Sequence, residues 1–390
     1  MSDSSRANTA AIPSSVTKAT SSCVPFVDLA SVHQHVKRQI LQDIAEVIEA
    51  GSFIDGAQVA QFERRYADFC GTRFCVGVSS GLDALRLAFL AGGVESGAEI
   101  ILPANTFIAT VEAIRQTGAQ PVLVDADEQD YNVNPKAVEA AVTARTQWLV
   151  PVHLYGQMAD MRSLVEIGKA RKIGIIEDAC QAHGAERDGL VAGASGLAGA
   201  FSFYPAKNLG ALGDAGAVVT SDPGLAAAVR ALRSHGQTAK YHHEREGYTA
   251  RLDTIQAVAL LSKLPLLETW NEQRARAAAF YIDSLADVGD LVLPPVPAQS
   301  HPVWHLFVIT TKKRGQLEKF LHEKGIATGR HYPEPLHLMQ IYRGLGYRRG
   351  AFPVAERLAD EALSLPIFPG ITEPQLTAVV TAIRDFYRRG

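Results

Sequence analysis

A lysine and an acid each follow an apolar segment in the middle of this chain. Asp178 closes the run that begins at Ile173, and Lys207 follows 29 residues later in a loop of small residues, with Ser202 five positions before it. A lysine can bind an aldehyde as an imine, a carboxylate can keep a pyridine nitrogen protonated, and a serine can help to bind a phosphate. Pyridoxal phosphate (PLP) chemistry requires these three groups, so the spacing predicts a PLP site.

The setting of Lys207 supports this interpretation. The loop lies between two apolar segments, and Gly210, Gly213 and Gly216 follow it, where they permit close approach of the backbone. A lysine that is desolvated there, beside a cationic ring, has a lowered pKa and can act as nucleophile and general base. The alternatives are a solvated loop lysine at position 207 and a strand-end acid or helix cap at Asp178.

Two further segments could complete a cofactor site. Ser80 and Gly81 lie between a predicted strand and a predicted helix, where free backbone N–H groups and the helix dipole favour a phosphate. An ordinary helix N-cap is the alternative for Ser80. Phe107 follows another predicted strand and could stack on the face of the pyridine, although a core position is the alternative.

The elements that must position these residues follow a repeated strand–turn–helix pattern. Strands are predicted over residues 74–78, 99–102, 121–124, 148–152, 174–177, 200–203 and 217–220, and helices over 82–91, 108–116 and a segment ending near 172. Short β-branched strands that alternate with helices predict an α/β fold with a mainly parallel sheet between helices. Ligands of such sheets bind beyond the carboxyl ends of the strands, where Ser80, Asp178 and Ser202 all fall.

The length of 390 residues is typical of two domains. We predict a disordered tail over residues 1–22, a large α/β domain over 23–265 that binds PLP, and a smaller C-terminal α+β domain over 266–390, on which the first helix could pack. The predicted elements of the smaller domain are a long helix over 264–285, a strand over 304–310 with one wet face, a helix over 315–324 and a last helix that opens with a capping box at Thr372 and Gln375.

Composition excludes several classes of function. Hydrophobic residues make up 47% of the chain and charged residues 20%, as in an ordinary soluble globular protein, and no apolar run is long enough to span a membrane. The formal net charge of −3 and the scattered Lys and Arg residues do not predict a nucleic-acid partner. The four cysteines lack a disulfide or metal framework, although Cys70 and Cys75 are close together, and reduced thiols in the cytoplasm are expected.

Together these segments resemble the DegT-like family of fold-type I, PLP-dependent nucleotide-sugar aminotransferases. The resemblance covers the chain from about Val24 to its C-terminus. The segments that carry it are residues 25–29, 80–85, 151–156, 177–185 and 201–210.

The resemblance implies roles for individual residues. Lys207 would form an imine with PLP, Asp178 would contact the pyridine nitrogen, and Gln181 would lie near the phenolic oxygen. The phosphate would be bound by Ser80, Gly81, Leu82 and Ser202, and Phe107 would stack on the ring. Many relatives have threonine where this chain has Leu82, which offers only its backbone N–H. Relatives are homodimers with active sites at the subunit interface, and Thr249 takes a position, often asparagine, that reaches the partner's phosphate.

The resemblance also implies a reaction. The form of residues 81–85 looks most like members that aminate C-3 of dTDP-linked 3-keto-6-deoxyhexoses, with L-glutamate as donor, to make amino sugars for lipopolysaccharide or other glycans. A relative that dehydrates C-3 has histidine at the position of Lys207, so this lysine favours transamination. Amination of a nucleotide-linked 4-keto-6-deoxy sugar at C-4 and a PLP-binding regulator without catalysis remain open.

Six residues with aromatic or hydrogen-bonding side chains are candidates for contact with the substrate. They are His331, Tyr332, Tyr155, Tyr204, His183 and Arg251. Arg251 could pair with the donor's carboxylate or with the diphosphate. For residues 329–337 a Pro-rich surface turn is the alternative.

Overall fold

The computed structural model of this chain describes residues 23–389, so the predicted tail over residues 1–22 lies outside the described residues. The helices are α1 (Leu29–Gln34), α2 (Lys37–Ala50), α3 (Ala57–Cys70), α4 (Gly81–Ala91), α5 (Ile108–Gln116), α6 (Pro135–Ala141), α7 (Met161–Arg171), α8 (Pro223–Leu232), α9 (Thr254–Lys263), α10 (Leu267–Leu285), α11 (Arg314–Glu323), α12 (Pro353–Glu361) and α13 (Glu373–Arg389). The strands are β1 (Phe74–Val78), β2 (Glu99–Pro103), β3 (Gln120–Val124), β4 (Thr146–Leu149), β5 (Gly174–Asp178), β6 (Glu186–Arg187), β7 (Leu190–Val191), β8 (Ala198–Ser202), β9 (Gly216–Thr220), β10 (Gln237–Ala239), β11 (His242–His243), β12 (Ser300–His301), β13 (Phe307–Thr310) and β14 (Ala362–Leu365).

A seven-stranded sheet in the order β1-β9-β8-β5-β4-β2-β3 forms the centre of the fold. Strand β9 runs antiparallel to both of its neighbours, and the other neighbouring pairs are parallel. Consequently β1, β2, β5 and β8 all end at the same edge of the sheet. The predicted α/β fold with a mainly parallel sheet is confirmed.

Helices bury both faces of this sheet. Ile101 packs in a hydrophobic cluster with residues of α3, α7 and α9, whereas its neighbour Ile100 packs on the other face with residues of α4, α5 and α8. Successive side chains of a strand point to opposite faces, so a strand that is covered on both sides has apolar residues in sequence. For this reason the strands are short, continuous runs of apolar residues in the sequence.

A second, two-stranded sheet pairs β13 with β14 in antiparallel register. Phe307 and Ile309 pack with α10, α11 and α13, whereas Val308 packs with Leu358 of α12. The predicted wet face of this strand is therefore wrong, because α12 covers the second face. The capping box of α13 is confirmed by the backbone N–H of Gln375, which donates to Thr372 Oγ1 over 3.4 Å.

The turn Leu264–Leu266 separates α9 from α10, close to the predicted domain boundary. The division of the chain into two domains stays a prediction. Helix α2 packs on α9, and Val24 forms a parallel bridge with Ile326. Among residues 23–389, no helix combines the length and the apolar character needed to cross a membrane.

Candidate active site

One cavity of about 570 Å³ opens at the edge where the parallel strands end. Asp178 is the last residue of β5, Ser202 is the last residue of β8, and Ser80 follows β1 at the start of α4. The predicted residues that line the cavity are Ser80, Gly81, Leu82, Phe107, Asp178, Gln181, Ser202, Tyr204, Lys207, His331 and Tyr332. The sequence motifs thus converge on a single site.

Lys207 contributes an amine to this cavity. Burial lowers the pKa of Lys207, and the Cys180 thiol and the Asp178 carboxylate oppose that shift. The loop is held locally, since the backbone N–H of Lys207 donates to the carbonyl oxygen of Tyr204 over 2.8 Å. A lysine whose ammonium form is destabilised supplies more of the neutral amine, which is the nucleophilic and basic form.

Asp178 is buried, and both of its carboxylate oxygens accept hydrogen bonds. Oδ1 accepts from the backbone N–H of Cys180 over 3.2 Å, and Oδ2 accepts from Thr110 Oγ1 over 2.9 Å. These donors fix the plane of the carboxylate at the end of β5. A buried carboxylate in this position can bind a cationic N–H group of a ligand.

The N-terminus of α4 can bind an anion. Ser80 is the N-cap, because its Oγ accepts from the backbone N–H of Asp83 over 3.1 Å. A Cβ atom at Gly81 would lie 2.7 Å from Ser202 Cβ and 2.8 Å from Cys180 Sγ, so only glycine lets the helix start so close to the end of β8. The first backbone N–H groups of a helix lack intrahelical partners, and the helix dipole favours negative charge there.

The amide of Gln181 has a defined orientation. The backbone N–H of Tyr155 donates to Gln181 Oε1 over 2.7 Å, and a backbone N–H can only donate. The Nε2 group of Gln181 therefore donates to Tyr332 Oη over 3.0 Å. Tyr155 lies behind the cavity wall and donates its hydroxyl hydrogen bond to the carbonyl oxygen of His331. The structure places it as a support of the wall rather than in the lining.

Three more of the predicted residues lie outside the cavity lining. His183 is fully buried, donates from Nε2 to the carbonyl oxygen of Ser202 over 2.9 Å, and has its pKa lowered to about 3 by burial. Arg251 pairs with Val78 through a backbone bridge. Thr249 is exposed and bonds through Oγ1 to His235 Nε2 over 3.0 Å.

The structure adds lining residues that the sequence reasoning missed. They are Arg274, His305, Thr106, Thr110, Glu112 and Asp214, among others. Arg274 of α10 donates from Nη1 to the carbonyl oxygens of Trp304 and Ile367, over 3.2 and 3.0 Å, and burial lowers its pKa to about 10. The helical spacing of Arg274 is that of an ordinary amphipathic helix, so no signal in the sequence marks it.

Helix α10 also holds the loops of the site. Asn271, one turn before Arg274, donates to the carbonyl oxygen of His183 over 2.9 Å. The Oδ1 atom of Asn271 accepts a hydrogen bond of 2.8 Å from Nδ2 of Asn208, the residue that follows Lys207. One amide thus joins the segment after β5 to the lysine loop.

These groups fit PLP. An amine with a lowered pKa, a buried hydrogen-bonded carboxylate, an open helix N-terminus with a close-approach glycine and an aromatic ring surround one cavity. They match the aldehyde, the pyridine nitrogen, the phosphate and the ring face of PLP respectively. Phe107 lies on the rim, with its ring centroid 5.4 Å from that of Tyr332.

Comparisons with known proteins agree with this chemistry. Residues 34–384 match the DegT/DnrJ/EryC1/StrS aminotransferase family. The chain is 45% identical to a pleiotropic regulatory protein of Geobacillus stearothermophilus, over 94% of this chain and 99% of the relative. It is 43% identical to dTDP-3-amino-3,4,6-trideoxy-alpha-D-glucose transaminase of Streptomyces venezuelae, over 94% of this chain and 97% of the relative.

A solved structure is similar along the whole described chain. The crystal structure of S. venezuelae DesV in complex with a ketimine intermediate superposes with a TM-score of 0.93 at 42% identity. The match covers 95% of this chain and 100% of that protein.

Proposed function

Since this chain belongs to the DegT/DnrJ/EryC1/StrS aminotransferase family, we propose that it transfers the amino group of L-glutamate to C-3 of a dTDP-linked 3-keto-6-deoxyhexose. The protein is a PLP-dependent aminotransferase of nucleotide-linked keto-sugars. The observation that carries the proposal is the meeting of the Lys207 amine and the Asp178 carboxylate in one cavity. The name of the S. venezuelae relative, a transaminase of a 3-amino sugar, favours C-3.

In this proposal Lys207 is the central catalytic residue. PLP, when bound, supplies an electron-accepting ring that stabilises negative charge on the carbon that loses a proton. Lys207 would hold the cofactor through Nζ, and the same amine would move a proton between a carbon of the cofactor and a carbon of the substrate. Its lowered pKa supports this role, because only the neutral amine accepts a proton.

The remaining cofactor contacts are proposed from the same geometry. Asp178 would hold the pyridine nitrogen, the amide N–H of Gln181 would approach the phenolic oxygen, and Phe107 would cover the ring. The phosphate would be bound at the start of α4 and the end of β8, by Ser80, Gly81, Leu82 and Ser202. All of these residues line the cavity, which supports a shared ligand.

The substrate side of the proposal depends on the opposite wall. His331, Tyr332 and Tyr204 line the cavity and offer hydrogen-bonding groups to a sugar. Thr249 is exposed and lies outside the lining of its own chain, so we assign it to the active site of a partner subunit in a homodimer. Arg251 stays a candidate for pairing with the donor's carboxylate or with the diphosphate. Free thiols at all four cysteines support a cytoplasmic location.

A regulator that binds PLP without catalysis is the second candidate, because a relative that is 45% identical is called a pleiotropic regulatory protein. The two candidates differ in a direct observable. An aminotransferase changes its visible absorbance when glutamate converts PLP to the amine form. A regulator without catalysis does not.

The proposal is tested by incubating the purified holoenzyme and L-glutamate with dTDP-linked 3-keto and 4-keto sugars, and by locating the new amine by NMR. We expect an amine at C-3 and no multiple turnover by Lys207→Ala unless an external amine is added. An amine at C-4 would overturn the proposed position. An unchanged absorbance after glutamate would favour the regulator, and sustained turnover by Lys207→Ala would overturn the role of Lys207.

A further inference from the structure

Thr110 connects helix α5 to the carboxylate at the end of β5. It lies in the first turn of α5, is 1% exposed and lines the cavity. Its Oγ1 is 2.9 Å from Asp178 Oδ2, and Thr106 Oγ1 is 3.1 Å from Thr110 Oγ1. Neither threonine was a candidate site residue in the sequence analysis.

The direction of these hydrogen bonds follows from the chemistry of the groups. An ionised carboxylate can only accept, so the hydroxyl of Thr110 must donate to Asp178. A hydroxyl has one hydrogen, and therefore Thr110 Oγ1 can only accept from Thr106. The two hydroxyls therefore donate in series, from Thr106 to Thr110 and from Thr110 to Asp178 Oδ2. Hydrogen bonds in series polarise one another, so the outer hydroxyl strengthens the inner bond.

Asp178 is thus held from two elements. The backbone N–H of Cys180, in the loop after β5, binds Oδ1, and the hydroxyl of Thr110, on α5, binds Oδ2. Each donor binds a different oxygen, so the two hydrogen bonds together fix the plane of the charged carboxylate. A carboxylate that is held in a fixed orientation can accept a hydrogen bond from a protonated pyridine nitrogen and so stabilise its charge.

We propose that Thr110 is a positioning residue for the transamination reaction. It orients Asp178 toward the pyridine nitrogen of PLP and keeps the positive charge on that nitrogen. This inference rests on the proposed role of Asp178. It assigns to Thr110 a function that acts through Asp178 rather than through contact with the reacting atoms.

The sign of the expected effect can be derived. A positive charge on the ring nitrogen disfavours a second positive charge on the nitrogen that joins Lys207 to PLP. Loss of the Thr110 hydroxyl leaves Asp178 less well oriented toward the ring nitrogen, so that nitrogen loses part of its charge. The midpoint pH of the visible absorbance change of the Lys207–PLP linkage then rises. The glutamate half-reaction becomes slower, because a neutral ring accepts electrons less well.

The test uses the holoenzyme with three substitutions. Thr110→Val keeps the shape and removes the hydroxyl, Thr110→Ser keeps a hydroxyl, and Thr106→Val removes only the outer hydroxyl. We expect Thr110→Val to slow the single-turnover reaction with saturating glutamate about tenfold, as for loss of one hydrogen bond to a charged group, and to raise the absorbance midpoint. Thr110→Ser should restore most of both values, and Thr106→Val should shift them less than Thr110→Val does.

The inference is overturned if Thr110→Val changes neither the midpoint nor the half-reaction rate. A lower melting temperature with an unchanged midpoint also overturns it, because that outcome indicates a purely structural role. If the valine variant does not fold, Thr110→Ala is judged by the same two measurements. Asp178→Asn separates this inference from the proposed function: if Asp178→Asn has a normal midpoint and rate, the role of Asp178 itself fails, whereas an effect of Asp178→Asn without one of Thr110→Val rejects Thr110 alone.

Discussion

At the scale of single residues, burial makes the basic side chains around the cavity less cationic than they would be in water. Desolvation lowers the pKa of Lys207, of Arg274 to about 10 and of His331 to about 4. The charge of Lys207 adds to the lowering at His331. The histidine is therefore neutral at pH 7 and available as a hydrogen-bonding partner for an uncharged sugar.

The depressed pKa of His331 predicts how stability depends on pH. In the unfolded chain the histidine binds a proton below its ordinary pKa of 6.5, whereas in the folded protein it does so only below a pKa of about 4. The unfolded state binds more protons in that window, so the free energy of unfolding falls as the pH is lowered. A single such histidine contributes a loss of about 1.4 kcal/mol per pH unit at most.

The measurement is urea unfolding of the holoenzyme between pH 7 and pH 5. We expect His331→Gln to have a shallower pH dependence than the unsubstituted protein, by up to that slope. His322→Gln, at an exposed position of α11, is the matched control and should leave the pH dependence almost unchanged. Equal slopes for the protein and His331→Gln would contradict the prediction.

At the scale of elements, helix α12 begins on a carboxylate from a distant part of the chain. The backbone N–H groups of Val354 and Ala355 donate to Asp125 over 3.0 and 2.9 Å. We expect Asp125→Ala to lower the free energy of unfolding by about 1–2 kcal/mol, because it removes a charged cap and leaves two donors at the helix start unpaired. Chemical denaturation measures the change.

The chain offers a matched control for this substitution. Glu128 lies three residues after Asp125, is exposed and pairs with Arg357 of the same helix over 3.3 Å. Glu128→Ala removes a surface ion pair, for which a loss below about 1 kcal/mol is expected. Equal effects of the two substitutions would show that Asp125 is not a special cap.

The elements that could be predicted from the sequence differ from those that could not in how local their determinants are. Helix α5 was predicted with its observed bounds, and the predicted segments for β1, β2 and β5 agree within one residue, because their apolar runs and glycine stops are local. Helix α12 and strand β14 were missed. The cap of α12 comes from Asp125, 229 positions before Val354, and the burial of β14 depends on its pairing with β13.

The residues of the site also fall into two groups, those that the sequence indicated and those that only the packing of the helices brings to the cavity. Asp178, Gln181 and Lys207 belong to short segments whose residue types carry the chemistry, so sequence alone indicated them. Arg274 and Thr110 reach the cavity only after α10 and α5 have packed on the sheet. Their positions in ordinary amphipathic helices give no local signal.

At the scale of the whole molecule, the proposed role of Thr249 in a partner's active site concerns a segment that lies outside the cavity of its own chain. Thr249 is exposed and outside the lining. Phe53, Ile54 and Leu212 have exposed side chains on segments that contact residues a few positions after Thr249: Ile54 bridges to Asp253, and the backbone N–H of Leu212 donates to Gln256. Exposed apolar side chains on segments that contact residues 253–256 favour a subunit interface in this region.

A shared active site predicts complementation between two inactive variants. Thr249→Glu should prevent binding of the partner's PLP phosphate by charge repulsion, and Lys207→Ala removes the essential amine. Each homodimer should be inactive. In a heterodimer of the two variants, the subunit that keeps Lys207 faces an intact Thr249 from its partner, so one of the two sites is complete. Random mixing then restores about a quarter of the unsubstituted activity.

The arrangement of the two substitutions is the control. When both are on one subunit and this variant is mixed with the unsubstituted protein, a shared site leaves about a quarter of the activity, because every heterodimer is inactive. If Thr249 instead acts within its own chain, the first mixture stays inactive and the second retains about half. Activities of size-selected, co-expressed dimers therefore decide between the two arrangements, and an inactive first mixture would overturn the assignment of Thr249 to the partner's site.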